Sequence, residues 1–288
     1  MKLIEERPGK CGIVYCSTRR TVEEVDALLN DKGIPSTRYH AGLPEEERRR
    51  NQDDFVYDRK PIMVATNAFG MGIDKSNVSF VIHYNMPQSM ENYYQEAGRA
   101  GRDGEPAKCI LLFSTQDVMI SKLLLGSKDF EGMDFQEIEQ VKHQDSRRLQ
   151  LMEGYCMTTS CLRNYILKYF GETTHQPCDN CGNCHQEFEE LDMTLDAKWV
   201  VGCITEMRGR YGQALVIGTL LGSKKARLKD IGATSYNCYG QLENRTEADL
   251  RLLISQMIRM GYIIQTEGEY SVLRAGNIAD LQIKIQRS

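Results

Sequence analysis

The first hundred or so residues alternate short apolar runs with amphipathic stretches. Gly12–Cys16 (GIVYC), Ile62–Thr66 (IMVAT), Phe80–His83 (FVIH) and Cys109–Phe113 (CILLF) are short and almost wholly apolar, which predicts strands buried on both faces. Between the first two, Val22, Val25, Leu28 and Leu29 fall at helical spacing before Gly33, and the polar stretch PEEERRRNQDDF predicts a second helix. A further helix is expected over Gln88–Ala97. Strands separated by helices predict an α/β unit with a parallel sheet covered on both sides.

From about Asp117 to Glu190 the strand signal vanishes. Leu162, Tyr165, Ile166, Tyr169 and Phe170 make one apolar helix face, ended by Gly171. The last hundred residues predict helices near Trp199–Met207 and Ala214–Leu221. A helix capped by Thr246 with Asp249 follows, carrying the stripe Leu250, Leu253, Ile254, Met257 and Ile258 and stopping at Gly261. YIIQT and YSVL then flank the turn EGE as a hairpin, and helices followed by a hairpin are the order of a winged helix.

Composition adds bounds. A chain of 288 residues, 41% hydrophobic and 26% charged, is an ordinary globular chain of two or three domains. No run approaches the roughly 18 apolar residues of a membrane span, and Met1–Lys10 has no signal-peptide pattern, so a cytosolic, membrane-free location is expected. The net charge of −4 excludes a strongly basic DNA-coating protein. It divides, however, into −7 over residues 1–190 and +3 over residues 191–288, which places an anionic partner more naturally at the C-terminal end.

Ten cysteines in a cytosolic chain point to metal before disulfides. Cys161, Cys178, Cys181 and Cys184 have the pattern C-x16-C-x2-C-x2-C, which suits a closed, structural four-sulfur zinc site. Cys156 and His185 remain rival ligands at the two ends of the set.

QEAGRAGRDG, residues Gln95–Gly104, sets Arg99 and Arg102 among glycines after a helix, an arrangement that either clamps a phosphate or forms a salt-bridged surface turn. Upstream, Thr66 ends a strand before the turn FGMG, with Gly72 and Asp74 placed to meet a nucleotide. Ser17 and Thr18 follow the first strand, and His40 stands at another strand exit, where a satisfied loop histidine is the plainer reading. GSKKARLK gathers Lys224, Lys225, Arg227 and Lys229 beside the expected recognition helix, either as a duplex-phosphate patch or as a solvated face. The wing residues Glu267–Tyr270 are acidic, which disfavours phosphate contacts there and leaves Tyr270 for stacking on a base.

AFGMGIDK, QEAGRAGRDG, CLRNYILKYFGE and PCDNCGNC, followed by a winged helix, resemble the second RecA-like lobe and following domains of RecQ-family DNA helicases, over essentially the whole chain. The resemblance implies a RecA-like lobe at residues 1–117, a helical zinc-binding subdomain at 118–190 and a winged-helix domain at 191–288. It implies a monomeric, ATP-dependent 3′–5′ DNA helicase of replication, recombination and repair, associated with the nucleoid if bacterial. Arg99 and Arg102 would face the ATP phosphates, with Arg102 the finger. Gln95, Gly72 and Asp74 would lie by the nucleotide, and Ser17, Thr18, His40 and Thr66 along one DNA strand. Ser223, Lys224, Lys225 and Arg227 would meet duplex DNA. Zinc is the implied resident metal, and ATP with Mg2+ belongs to the intact enzyme. The sequence has neither G-x4-G-K-[ST] nor D-E-x-H. It therefore reads as a C-terminal portion lacking the first RecA-like lobe, inactive alone in ATP hydrolysis. A non-motor DNA-binding or protein-interaction module that keeps the lobe as scaffold is the alternative.

Overall fold

The computed structural model describes residues 1–70, 75–126, 130, 132–173, 176–187, 189–266 and 271–287. Gly72, Asp74 and the wing residues Glu267–Tyr270 lie outside the described residues. The chain divides into two compact units, Met1–His185 and Gln186–Ser288.

In the first unit, α1 (Lys2–Glu5), β1 (Gly12–Tyr15), α2 (Arg19–Asp31), β2 (Ser36–Tyr39), α3 (Glu45–Val56), β3 (Ile62–Ala65), β4 (Phe80–His83), α4 (Met90–Ala97) and β5 (Lys108–Leu111) follow in order. All strand pairs are parallel, in the order β2-β3-β1-β4-β5. Alternation along the strands explains the apolar runs. Ile13, Tyr15, Met63 and Val81 enter one core with Phe55 of α3, whereas Val14, Ile62, Val64 and Ile82 enter the other with Val22 and Leu29 of α2. Leu28, expected on the buried stripe of α2, is 47% exposed, because Val22 and Leu29 already fill the contact with the sheet. The turns are locally encoded: Thr18 and Ser89 cap α2 and α4 by accepting hydrogen bonds from the Thr21 and Asn92 amides.

Helices α5 (Thr115–Gly126), α6 (Phe135–Met157), α7 (Leu162–Tyr169) and α8 (Gly182–His185) complete the unit. Met86, Met90 and Tyr93 pack with Leu149, Met152 and Tyr155 of α6, and Leu162, Tyr165, Ile166 and Tyr169 of α7 cover that cluster from its edge. Gly154 lets α7 approach: a Cβ there would lie 2.6 Å from the Tyr165 hydroxyl, which donates to the Leu151 carbonyl at 2.9 Å.

The second unit contains β6 (Glu189–Asp192), α9 (Thr194–Glu206), α10 (Gln213–Leu220), α11 (Ala226–Asp230), a 3-10 turn (Ala233–Ser235), α12 (Glu247–Arg259), β7 (Ile263–Gln265), β8 (Leu273–Ala275) and β9 (Lys284–Arg287). The stripe Leu250, Leu253, Ile254 and Met257 packs against Val200, Ile204, Ile217 and Leu220, and Thr246 with Asp249 forms a full capping box. Arg245 grips the buried Asp196 with two hydrogen bonds, 2.8 and 3.1 Å, a forked pair that ties the approach to α12 onto α9. The second hairpin strand is Leu273–Ala275 rather than YSVL, because Ile263 pairs with Ala275 and Leu273 is the residue that enters the core. The antiparallel pair β6–β9, from Glu189↔Arg287 to Asp192↔Lys284, is an element the sequence pattern does not predict.

Two outcomes follow from close packing and from one carboxylate. A Cβ on Gly12 would lie 2.1 Å from the buried Phe80 ring across the β1–β4 pair. Gly12→Ala is expected to cost about 1–3 kcal/mol, read as a lowered urea midpoint, with Phe80→Leu in the same chain restoring part of it. An unchanged midpoint would contradict the packing. Glu206 accepts from the Asn237 and Cys238 amides at 3.2 and 3.0 Å. Burial pushes its carboxyl up, but the Cys238 and Asn237 donors outweigh it and hold the carboxyl below the usual range. A depressed carboxyl stabilises the fold above its unfolded pKa, about 4.3, and the contribution disappears as pH falls through the folded value. Wild type and Glu206→Gln should therefore differ in thermal midpoint at pH 7, the difference shrinking only as pH falls below the unfolded value and through the depressed folded one. Fluorescence of Trp199, the single tryptophan, reads this unit alone.

Candidate functional site

Helix α7 begins immediately after Cys161, while Cys178, Cys181 and Cys184 sit on the loop that leads into and through α8. The four Sγ atoms lie within 4.8 Å of one another. Separations of 3.9 Å (Cys178–Cys184), 4.0 Å (Cys181–Cys161) and 3.4 Å (Cys181–Cys184) surround the value of about 3.8 Å that tetrahedral Zn–S bonds of about 2.3 Å require. The donor set fits zinc, with no open position for a substrate. Burial acts to raise the Cys181 thiol, but the Leu162 and Cys184 amides that donate to its sulfur bring it down, while burial and the neighbouring Cys181 push the Cys184 thiol up, as for one proton shared within the set. Asn183 donates to the Thr158 and Ser160 carbonyls at 2.7 and 2.9 Å and so fastens the loop to the chain before Cys161. The rivals stand apart: neither Cys156 nor His185 joins the cluster, and burial pushes the Cys156 thiol up to about 12, which keeps it neutral.

At the carboxyl edge of the sheet, Tyr15, Tyr39, Ala65 and His83 end neighbouring strands in register, so the residues just after them form one row. His40 and Thr66 belong to this row, and Ser17 stands one residue beyond it. The Ser17 amide donates to Asn85 Oδ1 at 3.1 Å, and the Thr66 hydroxyl accepts from the Ala68 amide at 3.4 Å. Thr18 spends its hydroxyl on capping α2. His40 is buried, with Nδ1 accepting from the Gly42 amide at 3.1 Å and Nε2 facing Glu23 Oε1 at 2.7 Å, so both ring nitrogens are engaged inside the lobe. Sequence reasoning left Asn85, His83 and Glu96 unassigned. They line a small pocket with Tyr15 and Ser17, in which His83 Nε2 meets Glu96 Oε2 at 2.8 Å and Asn85 Nδ2 donates to Asp117 at 3.0 Å. The stretch HYNMP, polar directly after an apolar strand, was the available signal.

The two arginines of the glycine turn part company. Gly101, at φ +72°, bends the chain so that its amide donates to the Val78 carbonyl at 2.9 Å. Arg99 points inward and donates from Nη2 to the Gly70 carbonyl at 2.6 Å. Burial raises the Tyr15 phenol against the pull of the same guanidinium, so Arg99 lies between β1 and the turn that follows β3. Arg102 is exposed, and among the described residues its guanidinium makes a long 3.4 Å contact with the Gly98 carbonyl and no other hydrogen bond. Gln95 is exposed on α4, in the same helix-and-turn segment.

In the second unit, Gly222 at φ +64° turns the chain after α10, where a Cβ would lie 3.2 Å from the Gly240 Cα. Tyr239 donates to the Gly222 and Ser223 carbonyls at 3.0 and 3.2 Å and fixes this turn. Leu228 is buried, which leaves Lys224, Lys225, Arg227 and Lys229 exposed beside half-buried Ser223.

Three family models match consecutive stretches: "Helicase conserved C-terminal domain" over residues 1–104, "RecQ zinc-binding" over 115–185 and "RQC domain" over 187–286. The chain is 38% identical over 270 residues to the ATP-dependent DNA helicase RecQ of Bacillus subtilis, covering 94% of this chain and 44% of the relative. It is 37% identical over 258 residues to that of Pasteurella multocida (89% and 39%) and 35% over 269 residues to that of Haemophilus influenzae (93% and 42%). The chain thus spans less than half the length of these relatives. Three consecutive family matches, with relatives aligned along nearly all of it, make this chain a C-terminal region of the RecQ family.

Proposed function

We propose that the chain is the C-terminal part of an ATP-dependent 3′–5′ DNA helicase that unwinds duplex DNA in replication, recombination and repair, acting as a cytosolic monomer. The observation that carries this reading is Arg102, exposed on a glycine-bent turn whose other arginine is locked inside. An exposed guanidinium whose donors make one long contact among the described residues suits the charge that develops on a phosphoryl group in transfer. Arg99 positions: it pins the arginine turn to the segment after β3, and Gln95 offers a further polar contact to the nucleotide. The Walker A and D-E-x-H groups that hold ATP and Mg2+ are assigned to a first RecA-like lobe. Cys161, Cys178, Cys181 and Cys184 would hold one zinc, which supplies the positive charge that lets four thiolates share one site. Ser17 and Thr66 offer hydrogen bonds to one strand, while Lys224, Lys225 and Arg227 neutralise duplex phosphates.

Two measurements test this reading. Elemental analysis should find one zinc per chain, with Cys181→Ser losing both the metal and the folded α7 region; metal-free, fully folded protein would break the assignment. Arg102→Ala, introduced into the longer protein that carries the first lobe, should lower DNA-stimulated ATP hydrolysis by about 1,000-fold while nucleotide binding persists. Arg99→Ala should instead lower thermal stability as well as rate. Robust hydrolysis by the 288-residue chain alone, or an Arg102→Ala enzyme of undiminished rate, would overturn the proposal.

A further inference from the structure

Between α6 and α7 lies a surface hollow of about 630 Å3 that neither the thiol cluster nor the arginine turn uses. Arg147, Arg148 and Leu151 line it from α6, and Tyr165, Lys168 and Tyr169 from α7. Tyr165 and Tyr169 stand one helical turn apart, on the same face. Both phenols are tied down, Tyr165 donating to the Leu151 carbonyl at 2.9 Å and Tyr169 to Glu91 Oε1 at 2.7 Å. What they offer a ligand is therefore pre-set ring surface.

The cations differ in how far they are committed. Arg148 is shared between Glu91 and Asp145, each at 3.7 Å. Arg147 and Lys168 are exposed and make no ion pair among the described residues. Next to them the ring surface continues outward. Phe170 stands edge-on to Tyr169 at 5.1 Å and tilted against Tyr94 of α4 at 5.0 Å, and Phe170 and Tyr94 remain 45% and 56% exposed.

We propose that this surface of α4, α6 and α7 binds a single-stranded polynucleotide, with bases against Tyr169 and Phe170 and phosphates against Arg147 and Lys168. Exposed rings beside unpaired cations are what an unpaired strand requires, since its bases present open faces at the spacing of its phosphates. A duplex keeps those faces stacked within itself, and an acidic peptide would satisfy the cations while leaving the rings in water. The inference does not need the ATP-driven reading. It adds a strand-binding surface in the first unit, distinct from the exposed lysines of the second.

The test uses the zinc-loaded 288-residue chain and a fluorescein-labelled oligothymidylate, followed by anisotropy across a salt series. Removing two phosphate contacts with the double variant Arg147→Gln, Lys168→Gln should flatten the slope of log affinity against log salt by about 1.4. Tyr169→Leu should weaken binding about tenfold, whereas Tyr169→Phe, which keeps the ring and loses only the Glu91 contact, should bind like wild type. Duplex affinity, assigned above to Lys224, Lys225 and Arg227, should be unchanged in all of these. The proposal is overturned if oligothymidylate binding and its salt slope survive both the double variant and Tyr169→Leu. It is equally overturned if duplex and single-strand binding fall together, or if the double variant loses only the binding of a polyglutamate peptide, which would make the hollow an acidic-peptide site.

Discussion

A parallel sheet packed on both faces has only its ends left for chemistry. Alternate residues of β1, β3 and β4 fill two separate cores, so within these strands only the end residues Tyr15 and His83 reach a pocket. What remains is the carboxyl edge, where chain segments leave the ladder. The row after Tyr15, Tyr39, Ala65 and His83 arises there, whereas the arginine turn after α4 comes up from the amino side, its Gly101 amide on the Val78 carbonyl just before β4. Arg99 converts this into a rigid arrangement, because its guanidinium joins two loops that are 29 residues apart in the chain.

The four thiols impose a second constraint on the same unit. Four sulfurs within 4.8 Å of one another repel as thiolates and need a cation among them. Because α7 starts right after Cys161, holding the sulfurs also holds that helix. From α7, rings pass inward in sequence: Tyr165, Tyr155, Tyr93, His83 and Tyr15, with centroids 5.6, 5.0, 5.0 and 5.5 Å apart. The metal loop and the sheet edge are thus connected through stiff, close-packed groups rather than through flexible chain.

How far the sequence disclosed this depended on the range of the interactions. β1, β3 and β4 are buried on both faces and leave apolar runs, which made them legible; the fourth run belongs to β5, which is an edge strand with Lys108 and Cys109 exposed rather than a strand buried on both faces. β2 showed only its exit at His40 and left no apolar run, because Ser36 and Thr37 are buried polar residues, with the Ser36 hydroxyl meeting Asp26 at 2.6 Å and Asn30 at 2.9 Å. The thiol set was legible because three of its members are local. The inward turn of Arg99 rests on a carbonyl far away in the chain, and the engagement of His40 rests on Glu23, so residue type alone could not separate them from surface groups. The lysines after Gly222 were visible as charge, whereas the Tyr239 contacts that fix their turn were not.

The pairing of β6 with β9 has a mechanical meaning. Glu189, near the first residue of the second unit, lies opposite Arg287, near its last. Tension applied to the two ends would therefore open the ladder at Glu189↔Arg287 and proceed toward Asp192↔Lys284, one residue pair after another, instead of shearing all the bonds together. Behind it the Met193 amide holds the Ile283 carbonyl at 2.9 Å, directly against the core. Under load the unit would give first at this fastening, pair by pair, before its helices are disturbed.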